Sequence, residues 1–286
     1  VSVVLTTYNR AASLPTTIRS ILDQSLRDFE LIVSDDCSPD NTRDVVLALQ
    51  RDDDRIVWRQ NEHNLGMPGN LNAGIAAASG EYVANLHDGD VYDPELLDCW
   101  AAALDRCPSA GFVFNAYRYL RDDGSEAGVS TAGIPPCHPG RDLLEHTFLR
   151  SALFLSPVWG TCMVRREAYD KVGLFDPRFG FWSDVDMWMR LCDVFDVAYV
   201  DEPLISLPSR ATLPRQKGTD RREEQRTLER MFWAARMRHY ADNGPRRALE
   251  VVKHAAFIVF ARTARETQAQ LERVQFLRPY VRRGPY

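Results

Sequence analysis

The sequence predicts an α/β fold: a mainly parallel sheet flanked on both faces by helices and followed by a helical C-terminal tail. Three observations carry this. Short, β-branched apolar runs recur through the first two thirds of the chain, helix-patterned stretches separate them, and carboxylate-bearing polar loops follow the runs. In such a sheet those loops collect at the carboxyl ends of the strands, where ligands bind.

Taken in order, Val1-Ser2-Val3-Val4-Leu5 is a strand too short and too β-branched for a helix, and the polar loop Thr6-Thr7-Tyr8-Asn9-Arg10 leads from it into an amphipathic helix over residues 14–23. Residues 29–34 form a second strand that ends in Asp35-Asp36-Cys37-Ser38-Pro39-Asp40, and residues 42–51 read as helix. Asp40 or Asn41 is better placed than Asp36 to cap that helix. A third strand, residues 56–59, runs into Asn61-Glu62-His63-Asn64-Leu65-Gly66, and an alanine-rich helix over 69–78 precedes a fourth strand, residues 81–86. Residues 122–141 show little periodicity and read as a turn and long loop of the kind that shapes a substrate pocket.

The fourth strand delivers the most informative segment, His87-Asp88-Gly89-Asp90-Val91-Tyr92. Mg²⁺ and Mn²⁺ prefer oxygen ligands and commonly take one or two carboxylates when a substrate phosphate completes the shell. Asp88 and Asp90 meet that demand, since residues i and i+2 of an extended chain share a face, and Gly89 allows close backbone approach. The same tripeptide alone is also an ordinary polar turn.

Composition points to an enzyme-sized domain with an appendage. The 286 residues are 45% hydrophobic and the longest apolar run, residues 255–261, is far too short to span a bilayer. The first strand starts at Val1, with no secretory signal before it and no initiator methionine, which suggests a trimmed chain. The six cysteines have no zinc-site spacing and lie in core-like segments, which suits buried free thiols in a reducing cytosol. Residues 219–286 hold 15 Lys/Arg against 8 Asp/Glu, a net +7 that leaves −12 on the remainder. This basic tail is helical in pattern over residues 220–240, breaks at Asn243-Gly244-Pro245 and resumes over 246–276. Basic helices of this kind bind anionic membrane surfaces, pack on an acidic domain or form a homodimer. Nucleic acid is not an expected partner, because the whole chain is acidic and carries no recognition motif.

Read together, Thr6-Thr7-Tyr8-Asn9-Arg10, the Asp35 to Asp40 block, Asn64-Leu65-Gly66, Ser79-Gly80-Glu81-Tyr82, Asp88-Gly89-Asp90 with Pro94-Glu95, Val172-Gly173-Leu174-Phe175-Asp176 and Asp184-Val185-Asp186-Met187-Trp188 give the chain a family resemblance. Over roughly residues 1–207 it resembles the family 2 glycosyltransferases of the GT-A fold, a Rossmann-like architecture. The resemblance implies a catalytic domain over 1–218, with a nucleotide-binding half (1–93) and an acceptor half (94–218), and a basic extension over 219–286. It implies metal-dependent (Mn²⁺ or Mg²⁺), inverting transfer from a nucleoside-diphosphate sugar to a hydroxyl of a glycan, lipid-linked or other acceptor, as in polysaccharide or cell-envelope glycan synthesis. The implied location is cytoplasmic, with peripheral contact at the inner face of the membrane.

By the same resemblance, Thr6 and Tyr8 border the nucleobase, Tyr8 by stacking unless it is a half-buried anchor at the strand end, Asn9 is a further donor-binding residue, and Asp36 accepts a hydrogen bond from the base. Asp90 holds the metal, Asp88 assists or contacts the ribose, and Asp184 is the general base; Trp159 and Gly160 lie against the donor sugar, unless Trp159 is an ordinary packing residue. Asp184 and Asp186 stand where a loop enters a helix, so one of them can instead be a capping residue. Trp182, Phe175, Phe179 and Phe181 make either an aromatic wall or plain core. The chain departs from the family at Leu71, where an arginine is common, at Ser183, where a glutamate is common, and after Leu204-Ile205-Ser206, where a histidine is absent; Arg210, Arg215 or Lys217 can replace its charge. An inactive nucleotide-sugar-binding protein is therefore one alternative. A sugar nucleotidyltransferase is another, although residues 6–12 lack the glycine-rich phosphate loop it needs.

Overall fold

In a computed structural model, the structure describes residues 1–149, 156, 158, 160–207 and 221–252. The predicted alternation is present: β1 (Ser2–Thr7), α1 (Leu14–Leu22), β2 (Glu30–Asp35), α2 (Thr42–Asp52), β3 (Ile56–Gln60), α3 (Gly66–Ala77), β4 (Tyr82–His87) and, after a tight turn, β5 (Val91–Tyr92). The second half adds α4 (Leu96–Arg106), β6 (Ala110–Leu120), β7 (Glu126–Ser130), β8 (Cys137–His138), α5 (Gly140–Leu143), β9 (Cys162–Arg165), α6 (Arg166–Val172), α7 (Ser183–Val194), β10 (Asp196–Leu207) and α8 (Arg221–His239).

One sheet contains all ten strands of the described residues, in the order β3-β2-β1-β4-β9-β6-β10-β5, with β7 paired to β6 and β8 to β10. Parallel pairing of β1 with β2 and β4, and of β2 with β3, sends the ends of β1, β2 and β4 to one edge. Val3, Leu5, Leu31, Val33, Ala84 and Leu86 are buried with Leu14, Ile18 and Ile21 of α1 and Trp100 of α4. On the opposite face α3 comes so close that a Cβ on Gly74 would run into Val4 and lie 3.3 Å from the Ser34 Cβ. Leu71 is a buried core residue of α3.

Residues 122–141 are more ordered than their sequence suggests. The loop expected there contains β7, antiparallel to β6, and β8, antiparallel to β10. This segment also corrects the reading of all six cysteines as free thiols. Pairing of β8 with β10 carries Cys137 to the end of α4, where it forms a disulfide with Cys107, their Cα atoms 5.8 Å apart. Proximity created by strand pairing across 30 residues has no local signature. Cys37, Cys99, Cys162 and Cys192 are free thiols, of which Cys162 and Cys192 are buried.

The chain divides into two units, residues 1–231 and 232–286. Within the second, residues 244–252 are helical as the tail pattern predicts, and Arg236 ion-pairs with Glu250 at 3.6 Å. Arg210, Arg215, Lys217 and the remainder of the expected final helix lie outside the described residues. No helix among the described residues is long and apolar enough to cross a membrane.

A single buried amide joins the strand ends to α3. The Asn70 Oδ1 accepts from the Ser34 hydroxyl at 2.8 Å and from Asn61 Nδ2 at 2.9 Å, while its Nδ2 donates to the carbonyls of Ser34 at 2.9 Å and Thr7 at 3.4 Å. Replacing it strands buried polar partners on three segments at once, so Asn70→Ala is expected to cost about 2–4 kcal/mol of unfolding free energy. Chemical denaturation at constant m-value checks this, and a loss under about 0.5 kcal/mol would show that the amide is dispensable.

Candidate functional site

The site is built where β1, β2 and β4 end. The loop after β1 bends sharply at Asn9 (φ 56°), whose N–H donates to the Ser38 hydroxyl at 2.7 Å and so ties it to the loop after β2. Tyr8 is 47% exposed; its ring is free to meet a ligand rather than being used up in the core. Asp36 is buried, and its Oδ1 accepts from Leu65 N–H at 2.7 Å and Asn61 Nδ2 at 3.1 Å. One oxygen thus organises the loop before α3 and leaves Oδ2 for another donor. Capping of α2 falls to Asp40, which accepts from the Thr42 N–H at 3.1 Å and hydroxyl at 2.5 Å.

Asp88, Gly89 and Asp90 form the turn between β4 and β5. They are not an extended run; Gly89 at φ 114° reverses the chain, and the turn rather than the pleat brings the two carboxylates together. Asp88 accepts from the Thr7 hydroxyl at 2.8 Å and from the Tyr8 N–H, and Arg10 lies 3.9 Å away. Two neighbours fix the turn itself. The Thr17 hydroxyl accepts from Gly89 N–H at 3.1 Å and donates to the Asp90 carbonyl at 3.2 Å. The Tyr92 hydroxyl accepts from His87 N–H and donates to the His87 carbonyl, both at 2.9 Å.

These carboxylates are poorly solvated and short of positive charge. Burial pushes the Asp88 pKa up to about 6 against the opposing pull of Thr7 and Arg10. Burial and then the charge of Asp88 push Asp90 up to about 7, and the Asp90 Oδ2 is buried with no hydrogen-bond partner. An unpaired carboxylate oxygen beside a second carboxylate fits a hard divalent cation. The described residues gather no group of three or more His, Cys, Asp or Glu side chains that could hold a metal, so substrate phosphate and water would have to complete the shell.

The second half brings Asp184 to the same edge. Gly160 lies in the chain just before β9, opposite the end of β4. A Cβ there would run into the His87 ring, lie 3.0 Å from its Nε2 and stand 3.4 Å from the Asp184 Oδ2. Asp184 is therefore a near neighbour of the residue that precedes Asp88. Burial raises its pKa to about 6, opposed only partly by the Val185 N–H that donates to Oδ1 at 2.7 Å. Burial also pushes His87 down to about 4.

Asp186 has a different task. It ion-pairs with Arg190 at 2.7 Å, and Arg190 also donates to the carbonyls of Val172, Gly173 and Leu174. Of the two acids, Asp186 is thus the structural one. Among the aromatics, Phe175 is core, in edge contact with Trp188, whereas Phe181 is 61% exposed beside Trp182. Trp159 lies outside the described residues.

Sequence reasoning singled out Thr6, Tyr8, Asn9, Asp36, Asp88, Asp90, Gly160 and Asp184; the first seven lie on strand ends and loops at this edge, and Asp184 meets it from the first turn of α7. It missed Thr17, Asn70 and His87. Apart from Asn61, nine residues from Asn70, the side-chain partners of Thr17 and Asn70 stand 36 to 73 residues away. For His87 the signal was its position, directly before Asp88.

With this geometry in view, similarity to known proteins becomes informative. Over 113 residues the chain is 47% identical to a Campylobacter jejuni protein named GalNAc(5)-diNAcBac-PP-undecaprenol beta-1,3-glucosyltransferase, a match covering 39% of this chain and 35% of that protein. The chain thus spans about a third of that relative. It is 34% identical over 200 residues to TuaG of Bacillus subtilis, named as a candidate teichuronic acid biosynthesis glycosyltransferase, covering 70% of this chain and 74% of TuaG. Its fold is similar to that of TarS from S. aureus, solved in complex with UDP-GlcNAc, with a TM-score of 0.66 at 20% identity over 82% of this chain and 66% of the other. Residues 2–173 match the family described as Glycosyl transferase family 2, and the chain belongs to that family.

Proposed function

We propose that this chain is a metal-dependent, inverting glycosyltransferase that moves a sugar from a nucleoside-diphosphate sugar to an acceptor hydroxyl in cell-envelope glycan synthesis. The observation that carries the proposal is the convergence of two differently placed sets of carboxylates. Asp88 and Asp90 share a turn joined to β1 through Thr7, and Asp184 reaches the same edge across the bare backbone of Gly160.

In this reading the nucleobase stacks on Tyr8 beside Thr6 and Asn9, and donates to the open oxygen of Asp36. The diphosphate lies over the Asp88-Gly89-Asp90 turn. Asp90, assisted by Asp88, would hold Mn²⁺ or Mg²⁺, which when bound supplies Lewis-acid stabilisation of the departing diphosphate. Asp184 removes the proton of the attacking hydroxyl. A buried carboxylate with pKa about 6 is a better base than an exposed one and is still ionised at neutral pH. A single base suits direct displacement at the anomeric carbon, with inversion.

UDP-sugars are the first donors to test, because TarS was solved with UDP and with UDP-GlcNAc. The undecaprenol-linked acceptor in the name of the Campylobacter relative favours a lipid-linked glycan as acceptor. Such an acceptor suits a chain lying at the inner membrane face, with the basic residues of its tail toward anionic lipid. Family membership favours a transferase over a nucleotidyltransferase, and the intact Asp90 and Asp184 favour an active enzyme over a binding protein.

Incubation with Mn²⁺ and a panel of nucleotide sugars, followed by release of nucleoside diphosphate with and without acceptor, tests the whole reading; no binding and no release would end it. Asp184→Asn is expected to lower turnover by about 10²–10⁴-fold while donor affinity stays within about twofold. The same change removes a buried charge. A carboxyl whose pKa is raised on folding stabilises the protein below its unfolded value and loses that contribution as pH rises through about 6, so at pH 7 the Asn variant should melt higher than the parent.

With Mn²⁺ and donor saturating, which hold Asp88 and Asp90 ionised, kcat of the parent enzyme should fall on the acid side with an ionisation near pH 6, and a flat profile down to pH 4.5 would rule out Asp184 as the base. Asp90→Ala is expected to abolish the metal-dependent part of donor binding in calorimetry. Unchanged Mn²⁺-dependent affinity would remove Asp90 from the metal site.

A further inference from the structure

His87 is the last residue of β4 and pairs in register with Thr6 of β1, so the two side chains share a face of the sheet. On the other side of His87 lies Gly160. One added methyl at Gly160 would touch the imidazole and come within 3.4 Å of the Asp184 carboxylate, so ring and carboxylate border the same small space. His87 as a whole is half-buried. Beyond the sheet ladder, the hydrogen bonds of His87 among the described residues run from its peptide groups to the Tyr92 hydroxyl. Across the edge, the order of side chains is Asp36 and Thr6 at the base end, then His87 with the Asp88 turn beside it, then Gly160 and Asp184 at the acceptor end. The donor sugar must lie between the diphosphate and the attacking hydroxyl, which is where the imidazole stands.

We propose that His87 is a specificity-determining residue whose ring hydrogen-bonds a hydroxyl of an uncharged donor sugar, an inference that rests on the transferase reading above. An imidazole offers one N–H donor and one ring-nitrogen acceptor, the pairing that a hydroxyl, itself donor and acceptor, can satisfy. The surroundings set the charge class. Asp88, Asp90 and Asp184 are all acidic, and Arg10 is ion-paired with Asp88. With the cation at Asp88 and Asp90 taken up by the diphosphate, the carboxylate of a uronic acid would lie beside Asp184, across Gly160, and be repelled. Neutral hexoses and N-acetylhexosamines fit. Gly160 belongs to the same device, because a side chain there would displace the ring.

The test compares UDP with UDP-sugars on the full chain, by calorimetry with Mn²⁺ and by initial rates. For His87→Phe, which keeps the shape and removes both ring hydrogen bonds, kcat/KM for the preferred neutral UDP-sugar should fall about 10- to 100-fold while UDP affinity stays within about twofold. His87→Asn, which keeps a donor and an acceptor, should lose less. With monodeoxy donor analogues, the parent should discriminate against one deoxy position and the Phe variant should not discriminate there. Equal losses for UDP and UDP-sugar would overturn the proposal, since the ring would then serve the diphosphate or the fold. Unchanged discrimination in the Phe variant would overturn it too, as would use of UDP-glucuronate as good as that of the best neutral donor. A parent protein that binds UDP with none of these losses to compare, because it binds no UDP-sugar more tightly than UDP and transfers none, would sink this inference and the transferase reading together.

Discussion

Three carboxylates kept largely out of water at one end of a sheet are the constraint around which the rest of the molecule is arranged. Asp88, Asp90 and Asp184 all have pKa values raised by burial, and each ionised form is disfavoured until something positive or hydrogen-bonding arrives. Left to local preference, the chain would let these groups swing into solvent. Thr7 and Tyr8 hold Asp88, Thr17 holds the turn that carries Asp90, and the Val185 N–H holds Asp184. The scaffold thus carries a locally unfavourable arrangement, which a folded protein supports only by surplus packing elsewhere.

That surplus lies in the flanking layers. Trp188, Phe112 and Phe175 form a buried aromatic cluster under α7, with centroid separations of 5.6 and 5.9 Å. Arg190 joins α7 to the carbonyls after α6 through its guanidinium, and Asp186 neutralises it. The two acids at the start of α7 sit two residues apart and do unlike things. The helix turns about 200° between them, which directs Asp186 inward to the arginine and leaves Asp184 toward the strand ends.

Much of this was legible in the sequence because it is periodic or local. The strands declare themselves as β-branched runs, and the loop after β2 and the turn after β4 follow immediately as polar blocks. What was hidden depends on partners distant along the chain. Thr17 looks like any threonine on an amphipathic helix until Gly89 and Asp90 are placed against it, and Asn70 is one of two asparagines in an alanine-rich helix. The hairpin-like strands in residues 126–138 are hidden for another reason: they are short edge pairings whose hydrogen bonds come from long neighbours. The Cys107–Cys137 link depends on that pairing, so a reading that took the segment as loop had no means of joining the two.

The phenol of Tyr92 clasps both peptide groups of His87 from five residues away and closes the intervening turn into a ring. A turn stapled in this way has few alternative shapes to give up. Ordering a free loop around a ligand subtracts from affinity, whereas here that entropy has already been lost when the polypeptide folds, and the end of β4 is preorganised.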